Sequence, residues 1–345
     1  MESKIDFTNL KKKIKDYCYS SKEVIEYQSF FYYNNRNLTS ELGFETLAQM
    51  ETIYPLKVAQ LLNDFAFYEL DKDKIFKILE LGGGTGKFYS ILSKELQKKN
   101  WSFEYTIVDI ATAKYSKNLE NSPSLRIIQS SFEEFAKKNN EIFDVLILNE
   151  ALDMWAGEDR VVNIWEENDV PVKPYWVLVD TKDNSLVKKK AITKIKSESI
   201  DQYYWQAIYI ENEGEKVLET LNRDYQAVIT IPNKLIDLLS KIELFAIIQD
   251  YWSYGNDSNT LRAQTKGSET VWIPSLTIPF AKVDVTYSPN QGQLLDLLTD
   301  KEWQVTTFQA TNSNHFDDTI YAIADETKEI LVLFSKKALE IQYNK

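Results

Sequence analysis

The sequence predicts an α/β protein built on a doubly wound sheet, with a helical cap at the amino terminus and an inserted antiparallel or mixed segment. Three observations carry the prediction. From residue 75 onward, short apolar runs alternate with stretches of helical spacing, the pattern of βαβ units. The runs are continuous rather than alternating, as expected for strands covered on both faces. The first run ends in a cluster of glycines that opens directly into a helix-like stretch.

Taken in order, residues 1–70 form the predicted cap. Leu10, Ile14 and Tyr17 share one helical face, and Val58, Leu61, Leu62 and Phe65 share another. Residues 71–345 form the predicted main domain. Its strands fall at 75–81, 106–110, 125–128, 143–149 and 243–251, with a helical stretch at 294–300 and a strand at 303–310. The run YAIADETKEILVLF at 321–334 reads as two strands joined by a polar turn. Residues 155–240 interrupt this rhythm. They are rich in Trp, Tyr and Lys and carry alternating runs such as YWVLVD and YYWQAIYI, which predict antiparallel strands.

The bulk numbers narrow the function. At 345 residues the chain is long enough for a large core. Asp and Glu outnumber Lys and Arg by 52 to 40, a formal charge of -12, which argues against nucleic acid as a partner. Cys18 and His315 are the only residues of their kinds, so neither a disulfide nor a cysteine- or histidine-built metal site is expected. The first residues lack the apolar core of a secretory signal, and no apolar run reaches membrane-spanning length. The expectation is a soluble cytoplasmic protein without a membrane partner.

The glycine cluster is the strongest chemical signal. In KILELGGGTGKFYSIL, Gly82, Gly83, Gly84 and Gly86 lie between strand and helix, and Glu80 stands two residues before them. Such a loop lets a ligand approach the main chain, with the free N–H groups of the helix start beside it. The dinucleotide fingerprint needs a third glycine where Lys87 stands, and the phosphate-binding pattern fails at Leu81 and Phe88. Asp109, followed by Ile110, ends the second strand, where an acid reaches ribose hydroxyls. Ser131 and Phe132 follow the third strand, placed to grip an adenine ring, and Asn149 ends the fourth. A ligand-free turn and a nicotinamide dinucleotide remain open alternatives at this point.

Together these pieces resemble class I methyltransferases: ELGGGTG is similar to their first motif, Val108-Asp109 to the second and FDVLILNE to the fourth. The resemblance implies a Rossmann-like, seven-stranded methyltransferase sheet with S-adenosyl-L-methionine as cofactor and S-adenosyl-L-homocysteine as product. NEALD at 149–153, AIIQDYWSYG at 246–255 and NTLRAQTKG at 259–267 narrow it to the MidA-type family, which includes the mitochondrial complex I assembly methyltransferase. The chain departs from that pattern at Trp155-Ala156-Gly157, where the family has proline.

Methyl transfer needs donor and acceptor held in line, plus a base when the acceptor carries a proton. Glu150 and Asp153 are the candidate catalytic groups, and Asn149 a candidate for the amino-acid end of the cofactor. Glu150 also suits a carboxylate at a helix start. Trp155, Asp250, Tyr251 and Arg262 are candidate acceptor contacts, with core packing, a turn and a surface ion pair as their respective alternatives. The expected acceptor is a protein or peptide side chain or a small natural product, including a carboxyl or hydroxyl group in a biosynthetic pathway. A non-catalytic assembly factor on the same scaffold is the rival reading, and a homodimer is compatible with either.

Overall fold

A computed structural model describes residues 10, 13–35, 53–66, 75–84, 86–110, 119, 123–166, 168–211, 216–250, 252, 261–264, 270–272, 277–280, 284–299, 303–309 and 329–335. The chain divides into two compact units. One comprises Phe44–Asp153, Asn233–Trp252 and Gln291–Lys345; the other comprises Met1–Gly43, Met154–Pro232 and Ser253–Asn290.

The first unit is the α/β sheet. Among the described residues it has seven strands: β1 (Phe76–Leu81), β2 (Phe103–Asp109), β3 (Leu125–Gln129), β4 (Phe143–Asn149), β5 (Ile242–Gln249), β6 (Gln304–Gln309) and β7 (Glu329–Phe334). Their spatial order is β6-β7-β5-β4-β1-β2-β3. The five strands from β5 to β3 run parallel, and β7 pairs antiparallel with both β5 and β6. Five helices among the described residues belong to this unit: α1 (Ile53–Ala66), α2 (Lys87–Lys98), α3 (Phe132–Lys138), α4 (Asn233–Leu239) and α5 (Gln291–Thr299). The first strand of the 321–334 prediction lies outside the described residues.

The sequence explains why these segments fold as they do. Every residue of β4, FDVLILN, is buried, because a central strand meets helices on both faces. Strand β3 sits at the sheet edge and is only partly buried. Helix α2 buries Phe88, Tyr89, Leu92 and Leu96, one stripe at helical spacing, and keeps its lysines outward. Leu92 and Leu96 join Ile78, Tyr105, Ile107, Val145 and Ile147 in the main core. Each such aliphatic side chain contributes roughly 1.5–3 kcal/mol on burial. Helix α3 starts at Ser131, whose hydroxyl oxygen accepts the N–H of Glu134 at 3.2 Å.

The second unit is antiparallel. Strands Val172–Asp180 and Tyr203–Glu211 pair along their whole lengths. Cys18–Tyr19 and Ser185–Val187 extend the first of them; Lys216–Leu218 and Thr277–Pro279 extend the second. Among the described residues two three-stranded sheets accompany this one: Tyr225–Ile229, Asp159–Asn163 and Asn168–Asp169; and Thr270–Trp272, Leu261–Gln264 and Asp284–Tyr287. Helix Ser21–Asn35 opens on a capping box, in which the Ser20 N–H donates to Glu23 and the Glu23 N–H donates back to the Ser20 hydroxyl. The unit buries Trp176 and Trp205. Their indole N–H groups donate to Ser21 Oγ at 2.9 Å and Gln28 Oε1 at 3.0 Å, so neither leaves a buried donor unsatisfied.

Among the described residues no helix is long and apolar enough to cross a membrane.

Candidate functional site

The sheet order reverses between β1 and β4, and the carboxyl ends of those strands flank the reversal. The glycine loop leaves β1 there, and Asn149-Glu150 ends β4 beside it.

Three glycines of the loop have left-handed backbone: Gly82 at φ 78°, Gly84 at φ 53° and Gly86 at φ 74°. Gly82 also has no room for a side chain, because a Cβ there would lie 2.8 Å from the Cβ of Ala151 and 3.4 Å from the Phe132 ring. The loop is tied at two points. Gly82 N–H donates to the carbonyl of Val108 at 2.9 Å, and Gly84 N–H donates to Asp109 Oδ2 at 3.0 Å. Gly83 is buried, and its carbonyl accepts the N–H of Gly86 at 2.8 Å. Gly86 is the N-cap of the 12-residue helix α2 and, as glycine, contributes no side-chain cap. Thr85 lies outside the described residues.

The predicted cofactor residues thus divide by environment. Asp109, 9% exposed, clamps the loop. Ile110 follows it, half-buried, its carbonyl accepting from Gln129 Nε2 at 3.2 Å. Ser131 caps α3 while Phe132 lies against Gly82. Asn149 is buried, and its Oδ1 has no hydrogen-bond partner among the described residues. Glu80 is buried within the sheet and accepts from the Tyr105 hydroxyl at 2.8 Å. Burial pushes its carboxyl up to about 8; the Tyr105 bond opposes this shift and the charge of Asp109 adds to it.

The predicted catalytic pair sits at the end of β4. Glu150 has φ 47°, a left-handed backbone on a non-glycine residue, held by its N–H to the carbonyl of Gln249 at 2.8 Å. Asp153 is buried in a 3-10 turn, Leu152–Met154, and its N–H donates to Asp250 Oδ2 at 3.1 Å. The fold therefore brings Asp250, a predicted acceptor contact, onto the turn that carries Asp153. Asp250 is fully buried. Trp155 belongs to the antiparallel unit, where it is 2% exposed and its carbonyl accepts the Tyr287 hydroxyl at 3.1 Å. Tyr251 and the Arg262 side chain lie outside the described residues.

Two neighbours escaped the sequence reading. Ala151 packs against Gly82, and the smallness of that position within NEALD is the only signal for it. Trp252, after β5, is 1% exposed, with an indole Nε1 that has no hydrogen-bond partner among the described residues. A tryptophan in an aromatic-rich sequence does not advertise such a state.

The arrangement brings to one sheet edge a glycine turn, the start of α2, the Asp109 carboxylate and the buried amide oxygen of Asn149, which has no hydrogen-bond partner among the described residues. These are the parts needed to hold a polar, nucleoside-like ligand.

No protein-family model matches the sequence, and no curated protein matches it. Among solved structures the chain is similar to a COG1565 superfamily member from Burkholderia thailandensis bound to S-adenosyl-homocysteine. The TM-score is 0.55 at 13% identity, over 96% of this chain and 92% of that one. It is also similar to a native structure of an uncharacterized COG1565 superfamily protein from the same organism, with TM-score 0.52 and 15% identity over 96% and 91% of the two chains. These likenesses establish the fold as the seven-stranded α/β sheet that the sequence predicts.

Proposed function

We propose that the chain is an S-adenosyl-L-methionine-dependent methyltransferase acting on a protein, peptide or small-molecule acceptor. The observation that carries the reading is the loop Gly82–Gly86, clamped by Asp109 and set beside Asn149 at the sheet reversal. A structure of the same fold, bound to S-adenosyl-homocysteine, supports it.

The residues present fit that cofactor. A Cβ at Gly82 would collide with Ala151, so the chain leaving the strand can turn this tightly at the sheet reversal only as glycine. Asn149 Oδ1, buried with no donor among the described residues, suits the ammonium of an amino-acid tail. Asp109 suits ribose hydroxyls while still accepting from Gly84. When bound, the cofactor supplies an electrophilic methyl group on a sulfonium sulfur, released by in-line displacement to leave a thioether.

Glu150, rigid at its strained strand end, orients the acceptor and takes the proton that an amine or guanidine nitrogen loses. Asp153, fixed through Asp250, holds the far wall of the same turn. A carboxylate acceptor has no proton to lose and dispenses with the base.

Calorimetry with S-adenosyl-homocysteine tests the reading. One-site binding is expected, lost in Asp109→Ala and kept within a few-fold in Glu150→Gln, with methyl transfer lost in both. Absence of binding by the wild-type protein sinks the proposal. Binding without any transfer to a peptide or metabolite pool supports the assembly-scaffold reading instead.

A further inference from the structure

We infer that the antiparallel unit carries a docking surface for a short acidic stretch of polypeptide, built where two lysine runs distant in sequence meet. The inference does not rest on the cofactor reading and stands or falls apart from it.

The runs are KKKIK at 11–15, described from Lys13 onward, and KKKAITKIK at 188–196. Both belong to the antiparallel unit. Strand pairing brings them together. Cys18–Tyr19 and Ser185–Val187 pair with the same strand, Val172–Asp180, at neighbouring positions: Cys18 stands opposite Val177, and Val187 opposite Leu178. The chain enters the first short strand from the first run and leaves the second short strand into the second run, so the two runs meet where those strands abut. The Lys188 ammonium accordingly lies 5.9 Å from the centre of the Tyr17 ring.

Both runs are anchored. Ile14 and Tyr17 pack on the buried cluster that holds Cys18, Val177 and Val179. Ile192, in the 3-10 helix Lys189–Lys194, is fully buried. Lys189, half-buried, pairs with Glu23 at 2.7 Å and lies 5.0 Å from the centre of the Tyr19 ring. The middle lysine of the triplet is thus spent on the fold. Lys13, Lys15, Lys188, Lys190 and Lys194 are exposed and form no ion pair among the described residues. Seven described lysines in the two runs meet three acids: Asp16 beside the first run, Glu23, and Glu198 at 3.9 Å from Lys196. A surplus of positive charge is therefore gathered on a chain whose formal charge is -12. Holding like charges together costs free energy, which an anionic partner offsets.

The chemistry of the patch narrows the partner. Neither run contains arginine, whose planar fork suits phosphate, whereas lysine offers a point charge that a carboxylate meets equally well. Among the described residues, none of the exposed large hydrophobics lies in either run, so the patch offers a lipid bilayer no apolar anchor. A long polyanion or a lipid surface also extends beyond the Debye length of roughly 8 Å and meets the negative charge of the rest of the chain. A short acidic segment fits within the patch and feels mainly the lysines.

The test uses a fluorescein-labelled peptide of six glutamates, titrated with the full chain at pH 7.5 and low salt, with binding read by fluorescence anisotropy. Saturable one-to-one binding is expected, weakened at least tenfold in about 0.3 M salt. The triple variant Lys188→Gln, Lys190→Gln, Lys194→Gln is expected to bind at least tenfold more weakly. The double variant Lys13→Gln, Lys15→Gln is expected to bind at least threefold more weakly. Thermal unfolding should be unchanged in both, because all five side chains are exposed. The triple variant Lys94→Gln, Lys98→Gln, Lys99→Gln removes the same charge at the end of α2 and is expected to keep the affinity within twofold. A six-nucleotide single-stranded DNA and phosphatidylserine vesicles are the competing probes; tighter binding of either than of the peptide overturns the inference and assigns the surface to that anion. Absence of saturable peptide binding by the wild-type protein also overturns it. So does wild-type affinity in either patch variant, or an equal loss in the α2 variant.

Discussion

Glu150 is the residue on which sequence and backbone give different information. Its place in NEALD marks it as a carboxylate at a strand end; its φ of 47° does not follow from its identity, because glutamate seldom adopts left-handed backbone. Such a conformation costs on the order of 1 kcal/mol and persists where the surroundings dictate it, here through the Gln249 carbonyl. Glu150→Gly is expected to stabilise the protein by about 1 kcal/mol in urea unfolding, while abolishing methyl transfer. A variant that is destabilised instead would mean that the carboxylate holds the turn together. The glycines differ in legibility. Glycine permits left-handed backbone, and Gly82, Gly84 and Gly86 adopt it. Asn149 was legible as a strand-end polar residue, whereas the lack of a partner for its Oδ1 among the described residues depends on what the fold places around it.

At the scale of elements, the turn from β1 into α2 is held by parts distant in sequence. Gly82 depends on Ala151 at the end of β4, and Gly84 depends on Asp109 at the end of β2. Gly82→Ala meets both a left-handed backbone and a Cβ contact of 2.8 Å, so a loss of more than about 1 kcal/mol is expected. The same variant is expected to lose S-adenosyl-homocysteine binding. Adding Ala151→Gly relieves the contact but not the backbone strain. A double-mutant cycle should therefore recover part of the stability, and strict additivity would show that the two residues do not press on each other. Strand and helix positions in this unit were readable from periodicity, because a strand covered on both faces must be continuously apolar. The edge strand β3 was readable for the same reason in weaker form, being only partly buried.

At the scale of the whole molecule, pH reports on the buried carboxylates. Glu80 ordinarily titrates near 4.5 and is pushed up to about 8 by burial. The folded chain therefore favours its protonated form. The stability this contributes is fully present below about 4.5 and is lost as pH rises through about 8. Glu80→Gln, which can still accept from Tyr105, is expected to remove a slope of up to about 1.4 kcal/mol per pH unit within that window. Denaturant unfolding at pH 5 and pH 8 measures it; an unchanged slope means that the carboxyl titrates normally. The sequence by itself determined the parallel-sheet class, the bare glycine loop and the acid that follows β2, because each is a local consequence of burial on two faces or of backbone freedom. Only the tertiary structure decided that Asp109 ties the loop, that Asp153 rests on Asp250, and that residues 253–290 join 154–232 and the amino-terminal segment in one compact unit. Those contacts join residues tens to hundreds of positions apart, and no local pattern of residue types encodes which distant partner will satisfy a buried polar group.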